Sequence, residues 1–286
     1  LSVIASLGLF FFIWRELTFR NPIVYLHVLK NGNLRVGTIL SFIMGFGLYG
    51  STFIIPLYTQ AGLGWTATQA GILMVPSALT TAIFMPVIGK LLQGGAKKQL
   101  LAAAGMFMFG IFCVWGYKIL TPDTGEDAFF WVLVFRGAAM GLLFIPVTTL
   151  SLSTLKGREI GDGAAFTGMM RQLGGSFGIA LITTLMAKNV MLHRSNLVRH
   201  LDTNNPIVQH QLEGMARSFV VKGLPTNIAH TDALQAMDFM VMKQAMLLTY
   251  MDVFWFIGMM FFLCVPFVLM VKDRKNNAIS ISDALH

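Results

Sequence analysis

Ionisable side chains are scarce in this sequence: 12% of its 286 residues are charged, about half the share of an ordinary soluble domain. With 55% hydrophobic residues and a mean hydropathy of +0.68, the chain lacks the solubilising surface of a water-soluble globule. Cysteine is rarer still. The two present, Cys113 and Cys264, each sit inside a long apolar run, so neither serves as a disulfide staple and the count is silent on redox compartment. Acids are outnumbered by bases, 13 to 21, for a formal net charge of +8. The bases fall between apolar runs instead of forming one stripe, which argues against nucleic acid and for lipid head groups as the partner. The chain opens without an initiator Met or a basic leader, so the apolar run over residues 1–14 does not read as a signal peptide. It is shorter than the ~20 residues a helix needs to cross about 30 Å of hydrocarbon. It is expected to be the end of a truncated transmembrane helix.

Six longer apolar windows follow, at about 34–59, 68–92, 99–120, 128–155, 163–187 and 246–271. In hydrocarbon every backbone N–H and C=O needs an internal partner, so these windows predict helices and an all-α, polytopic transmembrane fold. Pro76, Pro86, Pro146 and Pro266 lie within them and are expected to kink the helices without breaking them. The remaining segments divide into a cytoplasmic linker (15–33), five transmembrane helices (34–187), a long outer loop (188–245), a last transmembrane helix (246–271) and a cytoplasmic tail (272–286).

Orientation follows from the short connections. Arg15, Arg20, Lys30 and Arg35, then Lys97 and Lys98, then Lys156 and Arg158, then Lys272, Arg274 and Lys275 all fall on one side if the spans simply alternate. The other side offers 61–66, with no charge, and 121–127, with Asp123, Glu126 and Asp127 but no base. The positive-inside rule makes the first set cytoplasmic, which places the protein in the inner membrane. The segment 188–245 is too polar to span and is expected to carry amphipathic helices, one starting near Pro206 and one capped by Thr231. The second is expected to run directly into the last span.

Deep charges are the chemical candidates. Arg171, followed by Gln172, falls near the middle of its window, where an Arg costs about 2.5–3.5 kcal/mol on insertion scales and therefore faces a cavity or a partner. Arg136 lies nearer the outer side and either snorkels to head groups or borders the same passage. Met169 neighbours Arg171 and suits ligands of varied shape. Asp252, in the outer part of the last window, is a possible proton site or an ordinary interfacial acid. Small residues at Gly137 and Gly141, and at Gly174, Gly175 and Gly178, allow close helix contact, either static or sliding. Gly45, Gly47 and Gly50 match G-x-G-x-x-G, but no strand precedes them and no dinucleotide site is expected. His193, His200, His210 and His230 are scattered, so no metal site is expected. Hydrolase elbow, P-loop and paired catalytic carboxylates are all missing, which points away from an enzyme.

Several stretches resemble a known family. Residues 16–24 (ELTFRNPIV), 45–60 (GFGLYGSTFIIPLYTQ), 71–76 (GILMVP) and above all 161–180 (GDGAAFTGMMRQLGGSFGIA) are similar to EmrB/QacA-type drug:proton antiporters of the major facilitator superfamily. Those carriers have fourteen spans, two six-helix halves separated by two extra helices. The resemblance covers essentially the whole chain and implies its C-terminal half, with residues 1–14 ending the second extra helix. It implies two inverted triplets in which 34–59, 68–92, 128–155 and 163–187 line a cavity, while 99–120 and 246–271 lie outside it. Residues 89–98 (GKLLQGGAKK) resemble the superfamily's cytoplasmic loop signature, with Gln93 in place of the usual Asp; Gly89, Lys90, Lys97 and Lys98 would form a cytoplasmic gate.

The function so implied is proton-coupled multidrug efflux by alternating access, with a substrate and coupling site at Arg136, Arg171, Gln172 and Met169. Pro76, Pro86, Gly137, Gly141, Pro146, Gly174, Gly175 and Gly178 would serve helix packing and movement. No cofactor is implied beyond the proton gradient. The implied partners are small amphiphilic substrates, protons, the bilayer, the missing N-terminal half, and a periplasmic adaptor with an outer-membrane channel. A specific metabolite exporter of the same superfamily and a non-transporting membrane receptor or enzyme stay open.

Overall fold

A computed structural model describes residues 32–121, 126–155, 157, 159–201 and 206–270, together with 7, 8, 11, 14 and 15. Most of the expected stub, the linker, and the tail lie outside the described residues, as do Lys156 and Arg158. All regular structure among the described residues from 32 onward is helical: α1 (Gly32–Ala61), α2 (Ala67–Gln93), α3 (Lys98–Ile119), α4 (Glu126–Leu152), α5 (Glu159–Arg199), α6 (Pro206–Val221) and α7 (Thr226–Met270). All but α6 are long and apolar enough to cross a membrane.

Local chemistry marks several ends. Thr66 caps α2 by accepting from the Gln69 N–H, and the Gln69 side chain returns a bond to the Thr66 N–H, so two orphan donors are satisfied together. At the other end Gly95 adopts φ +89°, which turns the chain sharply into α3. The helices continue through Pro56, Pro76, Pro86, Pro146 and Pro266.

The core lies between α1, α3, α4 and α7, where Met44, Tyr58, Phe109, Leu133, Leu143 and Phe261 are fully buried. α2 and α5 flank it and leave apolar side chains uncovered, among them Ile72, Ile83 and Phe177. The main packed pairs are α1 with α5, α2 with α4, and α3 with α7. Exchanging the triplet α1, α2, α3 for α4, α5, α7 turns α1–α5 into α4–α2 and returns α3–α7 to itself. Part of the packing therefore follows the pseudo-symmetry that two three-helix repeats would give. Two pairings break it: α3 packs on α4 far more closely than α1 on α7, and α5 packs on α7 with no comparable contact between α2 and α3.

The α5–α7 contact follows from length: the segment expected as an outer loop is largely helical, and α7 runs directly into the last span as expected. α5 does not stop at 187 but continues to Arg199, 41 residues in all, and α7 starts at Thr226 and runs 45 residues. At 1.5 Å per residue each is roughly 60–70 Å long, about twice the hydrocarbon thickness. The segment 188–245 is thus a stem of two helical extensions, with α6 packed on α7. α6 starts at Pro206. Thr231 caps nothing: it lies inside α7, and its hydroxyl donates to the Asn227 carbonyl one turn earlier.

Candidate functional site

Arg136 has a single way to be buried cheaply, which is to find acceptors for its five N–H groups. It lies on the face of α4 turned toward α1 and α2 and is 5% exposed, so it does not snorkel. Nε donates to Ser51 Oγ at 3.1 Å, Nη1 to Ser77 Oγ at 2.9 Å, and Nη2 to the Leu48 carbonyl at 3.3 Å and to Thr52 Oγ1. The α1 hydroxyls are preset for this. Ser51 directs its proton to the Gly47 carbonyl and Thr52 to the Leu48 carbonyl, leaving oxygen lone pairs toward the guanidinium. All four acceptors are uncharged. Among the described residues no carboxylate pairs with Arg136; the ion pairs are His193–Asp252, Arg194–Asp238 and Arg217–Glu213.

Arg136 and Ser77 stand on the wall of a cavity of about 470 Å³ between α1, α2 and α4. Thr52 and Thr81 add hydroxyls, and Met74, Met85, Met140 and Phe144 make up much of the apolar remainder. The Arg171 guanidinium stacks on the ring of Phe144, 4.3 Å from its centroid, an arrangement in which the ring face attracts the cation. Arg171 is half-buried and reaches the cavity only through that ring. Gln172 is exposed and accepts from Tyr49 Oη at 2.8 Å, tying α5 to α1. Met169 is half-buried and is not among the cavity-lining side chains.

The glycines bring backbones together. A Cβ on Gly174 would sit 2.1 Å from the Phe42 carbonyl oxygen, and one on Gly175 2.2 Å from the Tyr49 ring. On the α2–α4 seam a Cβ at Gly137 would meet the Ser77 oxygen at 2.4 Å, and one at Gly141 the Phe84 Cβ at 2.7 Å. The reading of 45–50 missed its role in packing. Gly45 faces the Arg171 carbonyl oxygen, 2.0 Å from where a Cβ would lie, and Gly47 faces the rings of Phe261 and Phe109.

Asp252 is not brought to the cavity. It faces α5, where Oδ2 accepts from Asn189 Nδ2 at 3.0 Å and lies 2.6 Å from His193 Nε2. The sequence reading had His193 as a solvated loop residue and missed Asn189. Continuing the helix past 187 would have put both on one face, four residues apart. Ser51, Thr52 and Ser77 were missed because they converge from two helices, and no spacing along the chain encodes that. Lys90 lies in the last turn of α2, Lys97 is the N-cap of α3 without a side-chain cap bond, and Gly89 has open space around it.

Comparison with known proteins agrees with the geometry. The family model described as Major Facilitator Superfamily matches residues 2–179. Multidrug export protein EmrB of Escherichia coli K12 is 28% identical over 218 residues, 75% of this chain and 42% of that protein. Fatty acid resistance protein FarB of Neisseria gonorrhoeae is 25% identical over 273 residues, 95% of this chain and 52% of its own length. An uncharacterized MFS-type transporter, YhcA of Bacillus subtilis, is 27% identical over 77% of this chain and 41% of that protein. The chain spans about half the length of the curated relatives it matches. A bundle of membrane-length helices, with a family match over more than half its residues, is a multi-pass inner-membrane protein that belongs to the Major Facilitator Superfamily.

Proposed function

We propose that this chain is the C-terminal part of a proton-coupled exporter of amphiphilic, toxic compounds that works by alternating access. The observation that carries the reading is Arg136, a guanidinium 5% exposed on a cavity wall and bonded only to neutral oxygens. A membrane bundle has no packing reason to hold such a charge. A passage that admits polar groups has one.

Three further features support it. Methionines and an aromatic ring around the cavity adapt to ligands of varied shape. The α1–α5 and α2–α4 seams meet through glycine, which lets the helices approach closely. Relatives are named for multidrug export and for fatty acid resistance. In this reading the uncovered faces of α2 and α5 border the N-terminal half. Gly89, Lys90, Lys97 and Lys98 gate the cytoplasmic side, and the stem of α5, α6 and α7 projects outward to meet a periplasmic adaptor leading to an outer-membrane channel. The coupling carboxylate belongs mainly to the N-terminal half, because Asp252 faces away from the cavity.

The test is efflux by the full-length protein in a strain stripped of its own pumps. Dye extrusion and drug tolerance above the empty-vector level, abolished by a protonophore and by Arg136→Ala at normal protein level, are expected. Absence of efflux for every amphiphile tried would overturn the reading.

A further inference from the structure

Arg136 has five N–H groups, and four hydrogen bonds are made. The second N–H of Nη1 has no acceptor among the described residues. Beside it, Ser77 Oγ accepts from Nη1 at 2.9 Å, and its own proton has no acceptor there either. Ser77 is 3% exposed and, like Arg136, lines the cavity. Two unused donors therefore stand about one hydrogen-bond length apart on the same wall, which is the spacing that two oxygens of one carboxylate or sulfonate bridge.

Charge selects among ligands. The cavity-lining side chains include no Asp or Glu, and Arg171 adds a second positive charge behind Phe144. In a low-dielectric site an amphiphilic cation meets repulsion, and a neutral molecule leaves the guanidinium without a counter-charge. Size selects too: about 470 Å³ walled largely by apolar side chains exceeds what an inorganic anion fills.

We infer that Arg136 Nη1 and Ser77 Oγ form a two-donor seat for the mono-anionic head group of an amphiphile whose tail lies against Met74, Met85, Met140 and Phe144. The inference rests on the exporter reading and names the head-group class of its ligand. The head group comes from a diffusible compound or from an anionic phospholipid.

The test measures equilibrium binding of three probes of equal tail length, dodecylsulfonate, dodecanol and dodecyltrimethylammonium, to the purified full-length protein in phosphatidylcholine nanodiscs. Wild type is expected to bind the sulfonate about tenfold or more tighter than either other probe, the worth of a charge-assisted pair. Arg136→Gln is expected to erase that preference, leaving dodecanol within about twofold and the trimethylammonium probe unchanged or tighter, and Ser77→Ala to weaken the sulfonate alone, about threefold to tenfold. Arg136→Lys, which keeps the charge but not the fork, is expected to fall between. Competition by added phosphatidylglycerol, absent in Arg136→Gln, would assign the seat to bilayer lipid; no competition would assign it to a diffusible compound. Equal binding of sulfonate and alcohol by wild type, or equal weakening of all three probes in Ser77→Ala and Arg136→Lys, would overturn the inference. Failure of efflux with the anion preference intact sinks the exporter reading alone.

Discussion

His193 on α5 and Asp252 on α7 meet at 2.6 Å, and with Asn189 they clamp the C-terminal part of α5 to the middle of α7. The pair sits at the root of the stem, where α5 leaves the expected bilayer span and α7 enters it. His193 is 21% and Asp252 42% exposed in side-chain area, so the link is wet and modest in energy, in the range of about 0.2–1 kcal/mol typical of exposed pairs.

Asp252→Asn is therefore expected to lower the thermal unfolding midpoint slightly and to leave efflux largely intact. Purified full-length variants followed by intrinsic fluorescence on heating, with dye efflux in parallel, give both readouts. An efflux-dead Asp252→Asn of unchanged stability would return the proton role to this carboxylate.

Arg136→Met separates function from stability. A buried cation bonded only to neutral groups contributes little net stability, and replacing buried charges with apolar side chains of similar volume is neutral or stabilising by about 1–4 kcal/mol in other proteins. The midpoint is expected to hold or rise while efflux drops at least about tenfold. A collapse in stability together with efflux would make Arg136 a structural residue.

Glycine substitutions should divide by geometry. Gly45→Ala and Gly174→Ala place a Cβ about 2 Å from a facing backbone oxygen, and overpacking of that kind costs about 1–3 kcal/mol. Gly71→Ala and Gly161→Ala meet nothing within 4 Å and, being helical, should be neutral or stabilising by up to about 1 kcal/mol. Thermal midpoints of the four variants decide; equal effects would contradict the close α1–α5 approach.

Lys97 and Lys98 at the start of α3 oppose the helix dipole, and Lys97 makes no side-chain cap bond. Lys97→Ser is expected to raise stability by about 0.5–1 kcal/mol. If these bases form the cytoplasmic gate, the same variant loses efflux. A stable, fully active Lys97→Ser would remove Lys97 from the gate.

Much of this could be read from residues in order, and the exceptions have a common cause. The windows near 34–59, 68–92 and 99–120 lie close to α1, α2 and α3 because an apolar run of bilayer length is a local property. The reading ended the fifth window at 187, because it looked for apolar runs, whereas α5 continues as a helix through polar sequence to Arg199; the expected run of an amphipathic helix into the last span is what α7 shows. Met169 was placed at the site on its neighbourhood to Arg171 along the chain, yet the cavity is assembled from α1, α2 and α4.

The sequence by itself determined that this is a helical membrane protein, since hydrocarbon leaves the polar backbone of an apolar run no option but to bond within its own helix, and its motifs carried the resemblance to a family. Only the tertiary structure decided what surrounds each charge. Arg136 could have met lipid head groups, a carboxylate or hydroxyls, and the energy difference depends on hydroxyl and carbonyl groups 59 to 88 positions away. His193 could have been solvated, and instead pairs across 59 positions with Asp252. Electrostatic and hydrogen-bond energies act over a few ångströms of space, and the order of residues along a helix does not say which helix will stand beside it.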